Sequence, residues 1–170
     1  MSHLSNIHLI PVLRGRPQAQ AQIAGGESFP GISGWVRFYQ TDAGVIVCAE
    51  IAGLPLASQP CGERVFGFHI HQGTDCSGSG ANGAEPFPQA MGHFNPQDCP
   101  HPSHAGDLPP LLGAGGLAVS ACLTDRFLVE DVIDRVVIIH DSPDDFTSQP
   151  SGNAGAKIAC GVIRRVGPMG

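Results

Sequence analysis

The sequence predicts an all-β domain of short antiparallel strands joined by long, ordered loops. Three observations carry that expectation. Gly 23 and Pro 15 among 170 residues load the chain with turn and loop formers, which disfavours a helical bundle. Hydrophobic residues make up 42% and charged residues only 14%, so a core can form and wholesale disorder is excluded. Apolar and polar residues alternate in several short runs, the period of a half-buried strand.

The elements follow in order. Residues 1–18 read as a tail or leading arm. Ala19 to Ile23 alternates with Gln. In 34–40, Val36 and Phe38 share one face and Trp35, Arg37 and Tyr39 the other. Val45, Val47, Ala49 and Ile51 share a face of the next run, and Asp42-Ala43-Gly44 supplies a hairpin turn between the two. Residues 65–71 form a fourth strand, and strands resume at 116–123, 135–140 and 158–163, with one helical turn at 128–133. Between them, 72–113 is full of Gly, Pro, Ser and Asn. So long a loop inside a small domain requires an ordering agent, and metal ligands or a disulfide qualify because both act as cross-links.

Composition removes partner classes. A formal net charge of −6 argues against a nucleic-acid binder held by phosphate contacts. No run approaches the roughly 18 apolar residues of a membrane span. The opening MSHLSNIHLIPVLRGRPQ has neither a long apolar h-region nor a small-residue cleavage site. That predicts a cytoplasmic protein, with export the alternative if the N-terminus has been trimmed. Six cysteines occur without a C-x-x-C pair, so zinc-ribbon and thioredoxin spacings are absent.

Histidine placement points to chemistry. In Gly67-Phe68-His69-Ile70-His71, side chains two apart share a sheet face, so His69 and His71 project together while Phe68 and Ile70 turn inward. Two imidazoles so placed are nitrogen ligands for copper or zinc; a solvated face carrying two histidines is the competing reading. His93, His101 and His104 lie in the long loop. His101-Pro102-Ser103-His104 reads as a β-turn with Pro102 at the second position, which brings its two imidazoles together, and Asp107 follows the Gly106 bend. Three nitrogens and one carboxylate make a closed zinc set, against the alternative of a polar surface loop. The apolar run 136–140 ends in His140 and leads into carboxylates. Gly78-Ser79-Gly80-Ala81-Asn82-Gly83 matches G-x-G-x-x-G, but Pro86 and Pro88 follow where a helix should start, so it is loop composition.

Taken in order, GFHIH, GHFNP, HAGDL, IIHDSPDD and GNAGAKIACGVI resemble the copper–zinc superoxide dismutase family over residues 19–165, leaving 166–170 as a C-terminal tail. The resemblance implies an eight-stranded Greek-key β-barrel or sandwich. It implies His69, His71, His93 and His140 as copper ligands, with His93 bridging to a zinc held by His101, His104 and Asp107. Asp144 then links a copper-ligand to a zinc-ligand histidine, Cys76 and Cys160 form the disulfide, and Lys157 stands in place of the active-site arginine. The implied reaction disproportionates superoxide to dioxygen and hydrogen peroxide, with His93 and Lys157 assisting. A homodimer is a further expectation. The interval from His101 to His104 is much shorter than in most members, Phe66 replaces a histidine found in many, and Cys61 and Cys99 are additional and available to pair. The shortened zinc loop and Lys157 motivate a second reading, a dismutase-like protein carrying copper or zinc for storage, transfer or structure. A metal-free Greek-key interaction module is a third.

Overall fold

The computed structural model describes residues 9–60, 62, 64–78 and 83–167. Its strands are β1 (Ala19–Gly25), β2 (Ser33–Thr41), β3 (Gly44–Ala52), β4 (Val65–Phe66), β5 (Phe68–His71), β6 (Leu111–Leu112), β7 (Leu117–Thr124), β8 (Val136–His140) and β9 (Lys157–Arg165). Seven of them form one antiparallel sheet in the order β5-β8-β9-β1-β2-β3-β7. The β4–β6 ladder lies between its two ends, since β4 runs on into β5 and a tight turn, Ala114 N to Leu117 O, leads from β6 to β7. The result is the curled β-barrel that the sequence implied.

Strand alternation places the core as expected. Val36 and Phe38, Val45, Val47, Ala49 and Ile51, and Phe68 and Ile70 all face one cluster with Val137, Ile139, Ile158 and Ile163. Burying each large aliphatic or aromatic side chain contributes about 1.5–3 kcal/mol relative to exposure. Because Ile70 and Phe68 point inward, His69 and His71 stand on the outer face of β5. The register His69↔Ile138 and His71↔Val136 puts β8 beside them.

Three expectations change, and a fourth, the helical turn at 128–133, is met. The run 65–71 is two strands, divided at Gly67. A Cβ there would lie 2.8 Å from that of Ala154 and 3.2 Å from that of His140, so only glycine lets the backbone come this close. Counting 65–71 as one run restores eight strands, with β6 taken from the stretch read as loop. The His101-Pro102-Ser103-His104 turn closes one residue earlier, by Ser103 N to Pro100 O at 2.8 Å, with Pro102 third in the turn and its peptide bond cis. The arm contains a short helix, α1 (Leu9–Arg14), whose Val12 and Leu13 pack on Tyr39, Ile46 and Cys48. The expected turn at 128–133 is a 3-10 helix, Val129–Val132.

The long loop is ordered by more than cross-links. Phe94, Ala105, Leu108 and Leu111 enter the main core, and Phe87 and Ala90 join Val136, Ile138 and Cys160 in a second cluster. Its backbone also pairs along the free edge of β5, with Ile70 N to Gly106 O at 2.9 Å and Phe94 N to Ile70 O at 2.8 Å, so the sheet edge is covered. The disulfide Cys76–Cys160 pins the same loop to β9 across 84 residues. Cys99 carries a free thiol, and Cys61 lies outside the described residues.

Closing so long a loop restricts the unfolded chain, so reduction of Cys76–Cys160 is expected to lower stability by about 2–5 kcal/mol. Calorimetry with and without reductant checks this, and an unchanged melting midpoint contradicts it.

Candidate metal centre

Seven side chains from three stretches meet outside the barrel over β5 and β8. His69, His71, His93 and His140 form one group and His93, His101, His104 and Asp107 another, each with ligand atoms within 4.8 Å of one another. His93 belongs to both. β5 supplies His69 and His71, and the end of β8 supplies His140. The long loop supplies the others, its two arms bridged to β5 at His71↔His93 and His69↔Asp107. Gly106 makes the second arm possible, because a Cβ there would sit 2.2 Å from Ile70 O.

The outer partners fix which nitrogen of each ring faces inward. Asp144 accepts from His69 Nε2 at 2.8 Å through Oδ2 and from His101 Nε2 at 2.9 Å through Oδ1. A carboxylate only accepts, so both Nε2 atoms carry the proton and both Nδ1 atoms present a lone pair. His71 Nδ1 donates to Met91 O at 2.8 Å and His140 Nδ1 to Gly155 O at 3.2 Å, which leaves their Nε2 atoms bare. Those two nitrogens lie 3.3 Å apart. His69 Nδ1, His93 Nε2 and His101 Nδ1 are buried without a hydrogen-bond partner.

Two bare lone pairs at that distance repel, and an orphaned buried nitrogen costs about 1–3 kcal/mol. A cation between them removes both penalties. On the other side of His93, its Nδ1 lies 2.7 Å from Asp107 Oδ1, while His101 Nδ1 and His104 Nδ1 lie 3.1 and 3.3 Å from Oδ2. Four ligands bound at zinc–nitrogen distances around a tetrahedral ion stand about 3.3 Å apart, so the set fits. The all-imidazole group suits copper and the three-histidine, one-carboxylate group suits zinc.

Electrostatics agree with this assignment. Burial and neighbouring imidazoles hold His71 well below the ordinary histidine range and push His140 down to about 3, so both rings are neutral ligands at neutral pH. Burial also lowers His69 and His104. Burial raises both carboxyls, but at Asp144 hydrogen bonds from His69, the Phe146 backbone and His101 outweigh it, and at Asp107 the hydrogen bond from His93 and the nearby His93, His101 and His104 do, so the net displacement is downward. Both carboxylates are therefore anions facing the cluster.

Lys157 is the cross-strand partner of His140. Its Nζ lies 2.8 Å from Glu85 Oε1 and 3.4 Å from Phe87 O, a carboxylate partner that sequence reasoning missed because 72 residues separate the pair. Gly152 was missed as well. It has φ +67, and a Cβ there would lie 2.0 Å from Asp144 Oδ1 and 2.7 Å from His101 Nε2. The GNAG run in which it stands was the available signal.

The family described as copper/zinc superoxide dismutase matches residues 32–163. The chain is 34% identical over 143 residues to the Cu-Zn superoxide dismutase of Legionella pneumophila, covering 79% of this chain and 80% of that protein. It is 30% identical over 167 residues to that of Deinococcus radiodurans, covering 89% and 87%. Among solved structures it is similar to the Cu/Zn superoxide dismutase of Brucella abortus, with TM-score 0.69, 24% identity and coverage of 85% and 98%. A superoxide dismutase-like protein from Bacillus subtilis gives TM-score 0.67, 28% identity and coverage of 84% and 96%. The chain belongs to the copper/zinc superoxide dismutase family.

Proposed function

We propose that this chain is a superoxide dismutase, in which two superoxide anions and two protons become dioxygen and hydrogen peroxide. Copper supplies the one-electron couple and zinc a redox-silent charge beside it. The observation that carries this reading is the double presentation of His93, with Nδ1 toward Asp107 and Nε2 buried and unpartnered among His69, His71 and His140. Its ring centroid lies 4.0, 4.9 and 6.3 Å from theirs.

Each chain residue then has a task. His69, His71 and His140 hold the copper side with nitrogens whose far edges are fixed by Asp144, Met91 O and Gly155 O, which sets tautomer and ring orientation. His93 Nε2 can hold a proton and deliver it to the departing peroxide, while Nδ1 stays directed to the zinc side. Asp144 ties the two halves together. Lys157 places a cation beside His140 that favours entry of an anion because the local field governs approach, a pull partly offset by its Glu85 partner at 2.8 Å.

The test is superoxide disproportionation by copper- and zinc-loaded protein against His140→Ala. Loss of one copper-side imidazole is expected to cost about 100-fold or more, while equal rates in the two proteins contradict the reading. In the same assay Lys157→Gln is expected to lower the rate by about two- to tenfold at low ionic strength and to flatten its salt dependence.

A further inference from the structure

Three of the four zinc-side ligands, His101, His104 and Asp107, sit on the seven-residue stretch 101–107, which makes few main-chain hydrogen bonds of its own. Two of its main-chain bonds are local, Ser103 N to Pro100 O and Asp107 N to His104 O. Gly106 pairs with neighbouring backbone on both sides, Gly106 N to Phe94 O at 2.8 Å and Ile70 N to Gly106 O at 2.9 Å, and His104 N donates to Asp107 Oδ2 at 3.0 Å. The backbone of His101 and the carbonyls of Pro102, His104 and Asp107 are met by side chains from distant loops. Gln149 places its amide flat against His101, with His101 N donating to Gln149 Oε1 at 3.0 Å and Gln149 Nε2 donating to His101 O at 2.7 Å. That pair of bonds imitates a β-ladder step, supplied by one side chain from 48 residues away. From the opposite side, Arg126 Nη1 reaches the carbonyls of Pro102, His104 and Asp107 at 3.0, 3.2 and 3.4 Å.

We propose that Gln149 and Arg126 are positioning residues for the zinc-side ligands His101, His104 and Asp107, a clamp formed by two side chains from distant loops. The proposal rests on the metal reading above. Gln149 fixes the backbone of His101, while Asp144 fixes the far edge of its ring, so that ligand is held at two points. Arg126 fixes the carbonyls of His104 and Asp107, the other two ligands of the stretch. All three contacts run to Nη1, whose two hydrogens the three carbonyls share, and charge-assisted bonds to carbonyls are stronger than neutral ones. A cation near a divalent ion repels it, so the contribution of Arg126 to zinc binding is geometric. Neither side chain touches a ligand nitrogen, and neither acts on substrate.

The test uses the full-length protein with both metals and reads zinc affinity by competition with a chromophoric chelator. Gln149→Ala and Arg126→Ala are each expected to weaken zinc by about 10–100-fold and to leave copper affinity within about threefold. Cobalt placed in the zinc position should show shifted visible bands in both, a signature that a general loss of stability would not produce. The conservative variants guard against misfolding. Gln149→Glu keeps the acceptor for His101 N and loses the donor for His101 O, and Arg126→Lys keeps the charge and loses the planar guanidinium that sets where Nη1 stands. Both are expected to fall between parent and alanine. If the parent binds zinc while all four variants hold it within about threefold, with unchanged cobalt bands, the clamp is overturned. A parent that takes up no zinc overturns the metal reading itself, and the clamp with it.

Discussion

Replacing His93 with alanine is expected to reduce superoxide disproportionation by about 100- to 10,000-fold, the span associated with a positioned proton donor. Copper should remain bound, because His69, His71 and His140 are held by their own outer partners and not by His93. Zinc should weaken, since one of its four ligands is gone. His93 stands in both groups, so copper also loses one ligand but keeps three imidazoles, whereas zinc keeps two imidazoles and a carboxylate. Assay of activity beside elemental analysis checks it. Retention of activity within about threefold of the parent would contradict a proton role for His93.

Gly152→Ala is expected to disturb both metal groups at once, although Gly152 offers no ligand atom. Its φ of +67 lies in the left-handed region, where a Cβ costs about 1–2 kcal/mol by itself. The larger consequence is steric. A methyl group 2.0 Å from Asp144 Oδ1 and 2.7 Å from His101 Nε2 cannot be housed without moving the carboxylate that joins His69 to His101. Both metal affinities should therefore fall together, by about 10–100-fold each, the scale for lost outer partners of metal ligands. Measured affinities that change for neither metal would contradict the bridging role of Asp144.

The parts of this molecule legible in its sequence are those written in local periodicity. The alternation of Phe68, His69, Ile70 and His71 assigns two residues to the core and two to the outer face without any knowledge of the partner strand. Val36 with Phe38, and Val45 with Val47, Ala49 and Ile51, are read in the same way. Residues whose meaning depends on distant neighbours were not legible by that route. Asp144 and the Cys76–Cys160 pair came only from ordered family motifs, because no spacing rule links residues 75 or 84 apart. Gln149 and Arg126 had no signal at all, since an amide or a guanidinium that meets backbone carbonyls leaves no pattern of its own. Gly67 gave a turn-former's identity but not its position in a strand, so 65–71 was read as one element.

The long loop shows the same division. Its Gly and Pro content announced irregular backbone, and its histidines announced a site. Phe94 and Leu108 looked like isolated apolar residues among turn formers, yet both are buried in the barrel core. Hydrophobic anchors at single positions have no period to betray them, so the loop appeared to need metal or disulfide for all of its order.

Anomalous X-ray scattering from copper- and zinc-loaded crystals, recorded at the two absorption edges, tests the shared role of His93 most directly. The account predicts a copper peak among His69 Nδ1 and the Nε2 atoms of His71, His93 and His140. It predicts a zinc peak among His93 Nδ1, His101 Nδ1, His104 Nδ1 and the Asp107 carboxylate. Given metal–nitrogen bonds of ordinary length on either side of one imidazole, the two peaks should stand about 6 Å apart. A single peak, or two peaks neither of which touches the ring of His93, would contradict it.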